Sequence, residues 1–432
     1  MLPGKRAENR AILTRRWFCS LPLALAGCSA SGAYGGDRFA FENGIGRRAG
    51  GPALSRYRGI DGTFPHATRT NWWQTLYSVD SYSRLDEVFP ASISKAPPAP
   101  SLLRRRAREL VVSYDGAAVV GTGRFDLDGY MDRNPSTGLL VVRDGEILAE
   151  RYQYGRHERH RLTSFSMAKT IIALLMGVAI ADGRISSIEI SADAVVPELA
   201  GTEYGATPLR HLLTMSSGVA FREDYDGHDD SARLSQLTLG EQSAGGHAVP
   251  PNFNRRTAEA GTRWYYASAE TFVLALVLRR SIGRPIAEYF AEKVWQPMGA
   301  EADATWLKDL SGQEVGYMGF NATLRDYGRL AMLMANGGVA QGKQLVPRTW
   351  IADMTRSHFS GSQTGRWFGY GFQTWIFPDG SGNFALLGVR GQAIFVDPER
   401  KLALVHTAVR PDARDRGGAD LGQLWRGIKN AM

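Results

Sequence analysis

Cysteine is almost absent from this 432-residue chain: the only two, Cys19 and Cys28, both fall within the first 28 residues. A domain folded from the remainder has no internal disulfide, no thiol nucleophile and no cysteine-built metal site, so its stability has to come from burial. Histidine is sparse as well, with eight in the chain. The segment His157-Glu158-Arg159-His160 sets its histidines three apart and lacks the H-E-x-x-H spacing of a helical metal site; it reads as a polar loop, and no metal is expected. Apolar runs of membrane-spanning length are missing too. The stretch from Trp17 to Gly27 is too short to span a bilayer as a helix. The formal charge of +8 is not a nucleic-acid signature. Half of it sits in the first 27 residues, where Lys5, Arg6, Arg10, Arg15 and Arg16 face Glu8 alone. The cluster Arg104-Arg105-Arg106-Ala107-Arg108 reads as a solvated face. No internal repeat is visible.

What is present begins with a leader over residues 1–27. Its basic part ends in Thr14-Arg15-Arg16-Trp17-Phe18, which resembles the twin-arginine export motif, and its apolar part ends in Leu25-Ala26-Gly27-Cys28, which resembles a lipobox. Cleavage before Cys28 would leave a lipidated N-terminal cysteine. The expectation is an exported, periplasmic lipoprotein that touches the membrane only through its lipid anchor; a signal cut elsewhere, releasing a soluble protein, is the alternative. Residues 28–53, rich in Gly, Ser and Ala, read as a flexible tether. Residues 54–130, with Trp72, Trp73, Tyr77, Tyr82 and the stiff Pro90–Pro100 segment, read as an extension packed on a main domain over residues 131–432.

Lysine is scarce, eight against 43 arginines, which gives weight to any lysine found in a motif. Ser166-Met167-Ala168-Lys169 opens a long apolar stretch, Thr170 to Ile180, stopped by Asp182-Gly183. Serine three residues before lysine at a helix start places both side chains on one face. A buried lysine that loses its proton can activate that hydroxyl, and the helix N-terminus favours the developing negative charge. Ser92-Ile93-Ser94-Lys95 fits the same spacing, but Ala96-Pro97-Pro98-Ala99-Pro100 follows it and cannot continue a helix.

Around this helix the pattern changes. Gly138–Val142 and Ile147–Tyr152 flank an Asp144-Gly145 turn, a hairpin signal. A mostly helical stretch runs to about residue 335, including a helix expected to start with Thr207 as N-cap and Pro208 at its first position. Strand patterns return at Tyr370–Phe377, Asn383–Leu387, Gln392–Val396 and Leu402–Val409, and an amphipathic helix closes the chain at Gly418–Lys429. Strands at both ends with helices between them predict an α/β (α+β) fold. One antiparallel sheet is assembled from distant segments, flanked by helices, with a helical subdomain inserted.

Two further elements suit a lysine-assisted serine. Tyr266-Ala267-Ser268 lies about one hundred residues after Ser166; a tyrosine beside an ammonium is expected to have a lowered pKa and to shuttle protons. The stretch Leu386-Leu387-Gly388-Val389-Arg390-Gly391-Gln392 suits a strand whose backbone N–H completes an oxyanion hole with that of Ser166. Gly388 and Val389 then stand at that N–H, with Val389 the donor; a register on Arg390-Gly391-Gln392 is the alternative.

Together these segments resemble the serine β-lactamase-related hydrolases, which share the β-lactamase/transpeptidase-like fold, and specifically the 6-aminohexanoate-dimer (nylon-oligomer) hydrolase branch. The resemblance runs through Gly138–Gly155, Leu162–Gly183, Leu209–Tyr225, Gly261–Ser268, Trp295–Leu310, Gly319–Gly338 and Gly388–Pro398, nearly the whole main domain. It implies Ser166 as nucleophile, Lys169 as general base and Tyr266 as proton relay. It also implies Ser268, Gly388 and Val389 about the substrate, Tyr225 closing over it, Trp375 lining its pocket, and no cofactor. The activity implied is hydrolysis of amide or ester bonds in small linear substrates through an acyl-enzyme. A carboxylesterase or D-aminopeptidase-like enzyme of the same fold, and a non-catalytic binding lipoprotein, are the alternatives. The lysine of the β-lactamase Lys-Thr-Gly strand has no counterpart here.

Overall fold

Alternation along the first hairpin sets the layers. In the strand Ser136–Arg143, Leu140 and Val142 join one core cluster while Leu139 and Val141 join another on the opposite face, as the two-residue period of a strand requires. Its partner Glu146–Tyr152 returns through Asp144 and Gly145, with φ of 45° and 78°, the turn that the strands' right-handed twist favours. Phe384–Gly388, Gln392–Asp397 and Leu402–Ala408 follow as antiparallel neighbours, and Leu404 sits opposite Val141. Strands from both ends of the chain thus share one ten-stranded sheet. The computed structural model that shows this describes residues 38–241, 243–414 and 417–432; the expected leader and Cys28 lie outside the described residues.

Three expectations need correction. The sheet is not wholly antiparallel, because Ile45–Arg47 and Arg104–Arg105 both run parallel to Glu146–Tyr152. The stretch expected as a tether is built into the fold from residue 40: Ala40–Glu42 pairs with Ile45–Arg47, Ile45 is buried, and Arg47 bonds Glu158 at 2.9 Å. Small residues hid one apolar anchor and one charge pair. Arg105, expected to be solvated, reaches the buried carboxylate of Glu150, which Arg325 also holds at 2.9 Å.

The Ser92/Lys95 motif falls on a strand. Ala91–Ser94 pairs with Ala304–Leu307 in a second, four-stranded sheet completed by Phe320–Ala322 and Leu162–Thr163. Residues three apart on a strand point to opposite faces, and Lys95 is taken by Asp303 at 2.8 Å.

The helix Met167–Ala181 is apolar all round and buried along nearly its whole length, which makes it a core helix. It packs against Ser268–Ile282 and the sheet. Gly177 lets it approach Trp350: a Cβ there would lie 2.1 Å from the indole, which donates to the Ala173 carbonyl at 2.9 Å. On the other face Gly417–Asn430 lays Leu421, Leu424, Trp425 and Ile428 against Leu139 and Val141.

Candidate active site

The helix start creates the centre of the site. Ser166 precedes Met167–Ala181 in near-helical geometry, and Lys169 one turn on is almost fully buried, at 1% exposure. Its Nζ donates to Ser166 Oγ at 2.9 Å and to the Tyr317 carbonyl at 2.9 Å. Lys169 forms no ion pair among the described residues. Burial lowers its pKa to about 8, against a smaller opposing pull from the Glu223 carboxylate, because a low-dielectric site penalises the ammonium. Phe165, just before the serine, has φ of 42°, a strained conformation for a bulky residue of the kind that gathers at functional sites. Trp72 stacks on its ring at 6.2 Å and Tyr82 meets it edge-on at 4.9 Å.

Tyr266 leads into the helix Ser268–Ile282, and its ring lies 5.1 Å from the Lys169 nitrogen. Its pKa is raised, not lowered as expected. Burial dominates, the Glu223 charge adds to it, and the Ser166 hydroxyl acts in the opposite sense as a hydrogen-bond partner. A neutral phenol is therefore poised to donate. Trp375, expected to line the pocket, stacks against the Tyr266 ring at 5.5 Å and is not among the residues bordering the cavity beside Ser166.

Glu223 is the residue sequence reasoning missed. Its buried carboxylate accepts from the Ser268 N–H at 2.7 Å, the Ser268 hydroxyl at 2.8 Å and the Tyr225 hydroxyl at 2.7 Å. Ser268 is thus occupied by Glu223, though it borders the cavity, and Tyr225 is tied down with φ of 62° and the Arg414 guanidinium over its ring at 4.9 Å. Tyr317 was missed too. Its flanking Gly316 and Gly319, both at positive φ, are the one sequence sign of the turn that aims its carbonyl at Lys169.

Gly388 ends its strand against the serine turn. A Cβ there would lie 2.5 Å from the Ser164 carbonyl and 3.1 Å from the Phe165 Cβ, so glycine permits the approach. The other register is disfavoured, because Gly391 abuts Arg410 and Ala408 and the Gln392 amide donates to the Ala408 carbonyl at 2.8 Å. Val389 and Arg390 border a cavity of about 870 Å³ together with Ser166 and Tyr225. Arg390 has φ of 61° and donates to the Arg410 and Pro411 carbonyls. The His157–His160 segment is a loop in which the His157 N–H donates to His160 Nδ1 at 3.1 Å.

Comparison with known proteins fits this geometry. A 6-aminohexanoate-dimer hydrolase of Paenarthrobacter ureafaciens is 26% identical over 397 residues, 89% of this chain and 96% of that protein. A Bacillus anthracis structure described as a candidate 6-aminohexanoate-dimer hydrolase superposes with a TM-score of 0.76 at 24% identity, over 87% of this chain and 97% of that one. A family VIII carboxylesterase gives a TM-score of 0.53 at 17% identity, over 69% and 93%. The model of the Beta-lactamase family matches residues 126–423. That match takes in the serine helix, the Tyr266 loop and the strand ending at Gly388 alike, and the chain belongs to the Beta-lactamase family.

Proposed function

We propose that this serine hydrolase cleaves amide or ester bonds of small linear substrates through an acyl-enzyme on Ser166. The observation that carries the reading is the 2.9 Å contact between Ser166 Oγ and a buried lysine with a pKa lowered to about 8. Neutral Lys169 takes the hydroxyl proton as Oγ bonds to the substrate carbonyl carbon. The N–H groups of Ser166 and Val389 receive the oxyanion. Tyr266 gives its proton to the departing nitrogen or oxygen and regains one from Lys169. Water then adds to the acyl carbon and gives its proton to Lys169; the carbonyl re-forms as the bond to Ser166 Oγ breaks, and Lys169 returns the proton to Oγ, freeing acid and serine. The relative named for the 6-aminohexanoate dimer supports short linear amides as substrates, and the carboxylesterase neighbour shows that the fold accommodates ester chemistry. A fluorophosphonate probe labels an activated serine whatever the substrate. Ser166→Ala is expected to abolish labelling and turnover while Ser92→Ala changes neither; persistent labelling of Ser166→Ala would overturn the assignment.

We further propose export and anchoring through a lipidated Cys28, on the lipobox Leu25-Ala26-Gly27-Cys28. No helix among the described residues is long and apolar enough to cross a membrane, so attachment would rest on the acyl chains. Mass spectrometry of the mature N-terminus tests this: an unmodified residue, or a start elsewhere, ends the idea.

A further inference from the structure

The cavity beside Ser166 has one wall that the serine mechanism does not use. It comes from residues 69–89, far from the serine in sequence, and consists of aromatic rings: Trp72, Trp73 and Phe89 line it next to Phe165. The rings brace one another. Trp72 stacks on Phe165 at 26° between planes, meets Phe89 at 5.8 Å and 87°, and meets Trp73 at 6.1 Å and 83°. Trp73 differs from the others in being 45% exposed, with Trp72 as its only ring partner among the described residues. Arg69 flanks the wall, its guanidinium 5.9 Å from the Phe89 ring.

We propose that this wall is a subsite for a flat aromatic group of the substrate, with Trp73 as the contact ring. The proposal rests on the Ser166 reading only in taking this cavity as the substrate site. An indole braced edge-on by Trp72 and 45% exposed offers a bound ring a large apolar area. A flat ring covers it by offset stacking or edge contact, whereas a flexible chain of similar size loses rotor freedom to cover the same area. Trp72 stands between Trp73 and Phe165, at 6.1 Å and 6.2 Å between ring centres, and Phe165 precedes Ser166, so the wall and the serine border one cavity. The 3-phenylpropionyl group carries a flat ring two carbons from its carbonyl and is the probe for this wall.

The test compares 3-phenylpropionamide with hexanamide in two measurements. One is inhibition of p-nitrophenyl acetate hydrolysis; the other is binding to the Ser166→Ala protein by saturation-transfer NMR. The aromatic amide is expected to bind about tenfold tighter than the linear one. Trp73→Ala should bring the two within about twofold of each other, and Trp73→Phe should keep most of the preference. Trp367→Ala, which removes an exposed indole outside the cavity, should leave the preference and the acetate activity as they are. Equal binding of both amides to the wild-type protein overturns the subsite, as does a preference that survives Trp73→Ala. The NMR arm reads the wall without turnover, so failure of the serine assignment appears as activity in Ser166→Ala, and failure of the subsite as lost discrimination alone.

Discussion

At the scale of single residues, the site turns on how burial sets protonation. In the proposed reaction Lys169 must be neutral to accept a proton, and its pKa is lowered to about 8 by burial. The rate kcat/KM is therefore expected to rise with pH and level off above about 8. Glu223 holds the ammonium against that loss, so Glu223→Gln should move the midpoint to lower pH; an unmoved midpoint would separate Glu223 from Lys169. The phenol of Tyr266 stays protonated throughout this range because its pKa is raised. Tyr266→Phe is expected to cost about a hundredfold or more in kcat with little change in KM, while Tyr265→Phe, at a residue 40% exposed, stays near normal. Steady-state kinetics of the pair checks both. Ser166 and Lys169 were legible because helical spacing alone puts them together. The acidity of Tyr266 was not, since a nearby lysine argues one way and burial, invisible in sequence, argues more strongly the other way. Glu223 was hidden because its partner Ser268 is 45 residues away and joins it through a helix start.

At the scale of elements, the serine turn and the end of the Phe384–Gly388 strand are pressed together. Gly388→Val would force a side chain to within 2.5 Å of the Ser164 carbonyl, and the strand would have to withdraw from Phe165. A fall in kcat/KM of at least about tenfold is expected with a modest drop in melting temperature. A variant with normal kinetics would show that Val389 does not serve the oxyanion. Periodicity made the hairpin, the serine helix and the three C-terminal strands readable. It failed where a side chain interrupts a strand: Tyr370–Phe377 divides into Gly369–Tyr370 and Trp375–Ile376 around Gln373 at φ 50°. That glutamine is turned inward, accepting from Thr271 and donating to the Leu212 carbonyl, each at 2.7 Å. Thr207 fails as a cap for a similar reason, because its hydroxyl donates to the Glu203 carbonyl at 2.7 Å and the helix starts at Leu209.

At the scale of the whole molecule, activity and stability should respond to pH in opposite directions. Glu270, buried in the Ser268–Ile282 helix, accepts from the Ser217 hydroxyl at 2.6 Å, while its Oε2 has no partner among the described residues. Burial raises its pKa from 4.5 to about 8. The folded state then binds a proton that the unfolded state releases, so this group's stabilisation is full below about pH 4.5 and is lost as pH rises to about 8, at up to about 1.4 kcal/mol per unit. The melting temperature of the wild-type protein should fall across that window, and Glu270→Gln should flatten the slope; parallel slopes would remove Glu270 from the account. The joining of the two chain ends in one sheet was legible from strand patterns on either side of the helices. The inclusion of residues 40–47 was not, because Ile45 is the one buried apolar side chain there besides glycine and a single position carries no periodic signal.

The site draws on Trp72 and Tyr82 near one end of the chain, on Ser166 and Tyr266 in its middle, and on Gly388, Val389 and Arg414 near the other. No shorter run of residues holds all of these. During synthesis the serine emerges long before the strand that completes its surroundings, so a chain stopped before residue 388 holds Ser166, Lys169 and Tyr266 but neither Gly388 nor Val389. In the proposed reaction such a chain lacks the second oxyanion donor, so truncation before Gly388 is expected to remove turnover even where the serine and its lysine are in place.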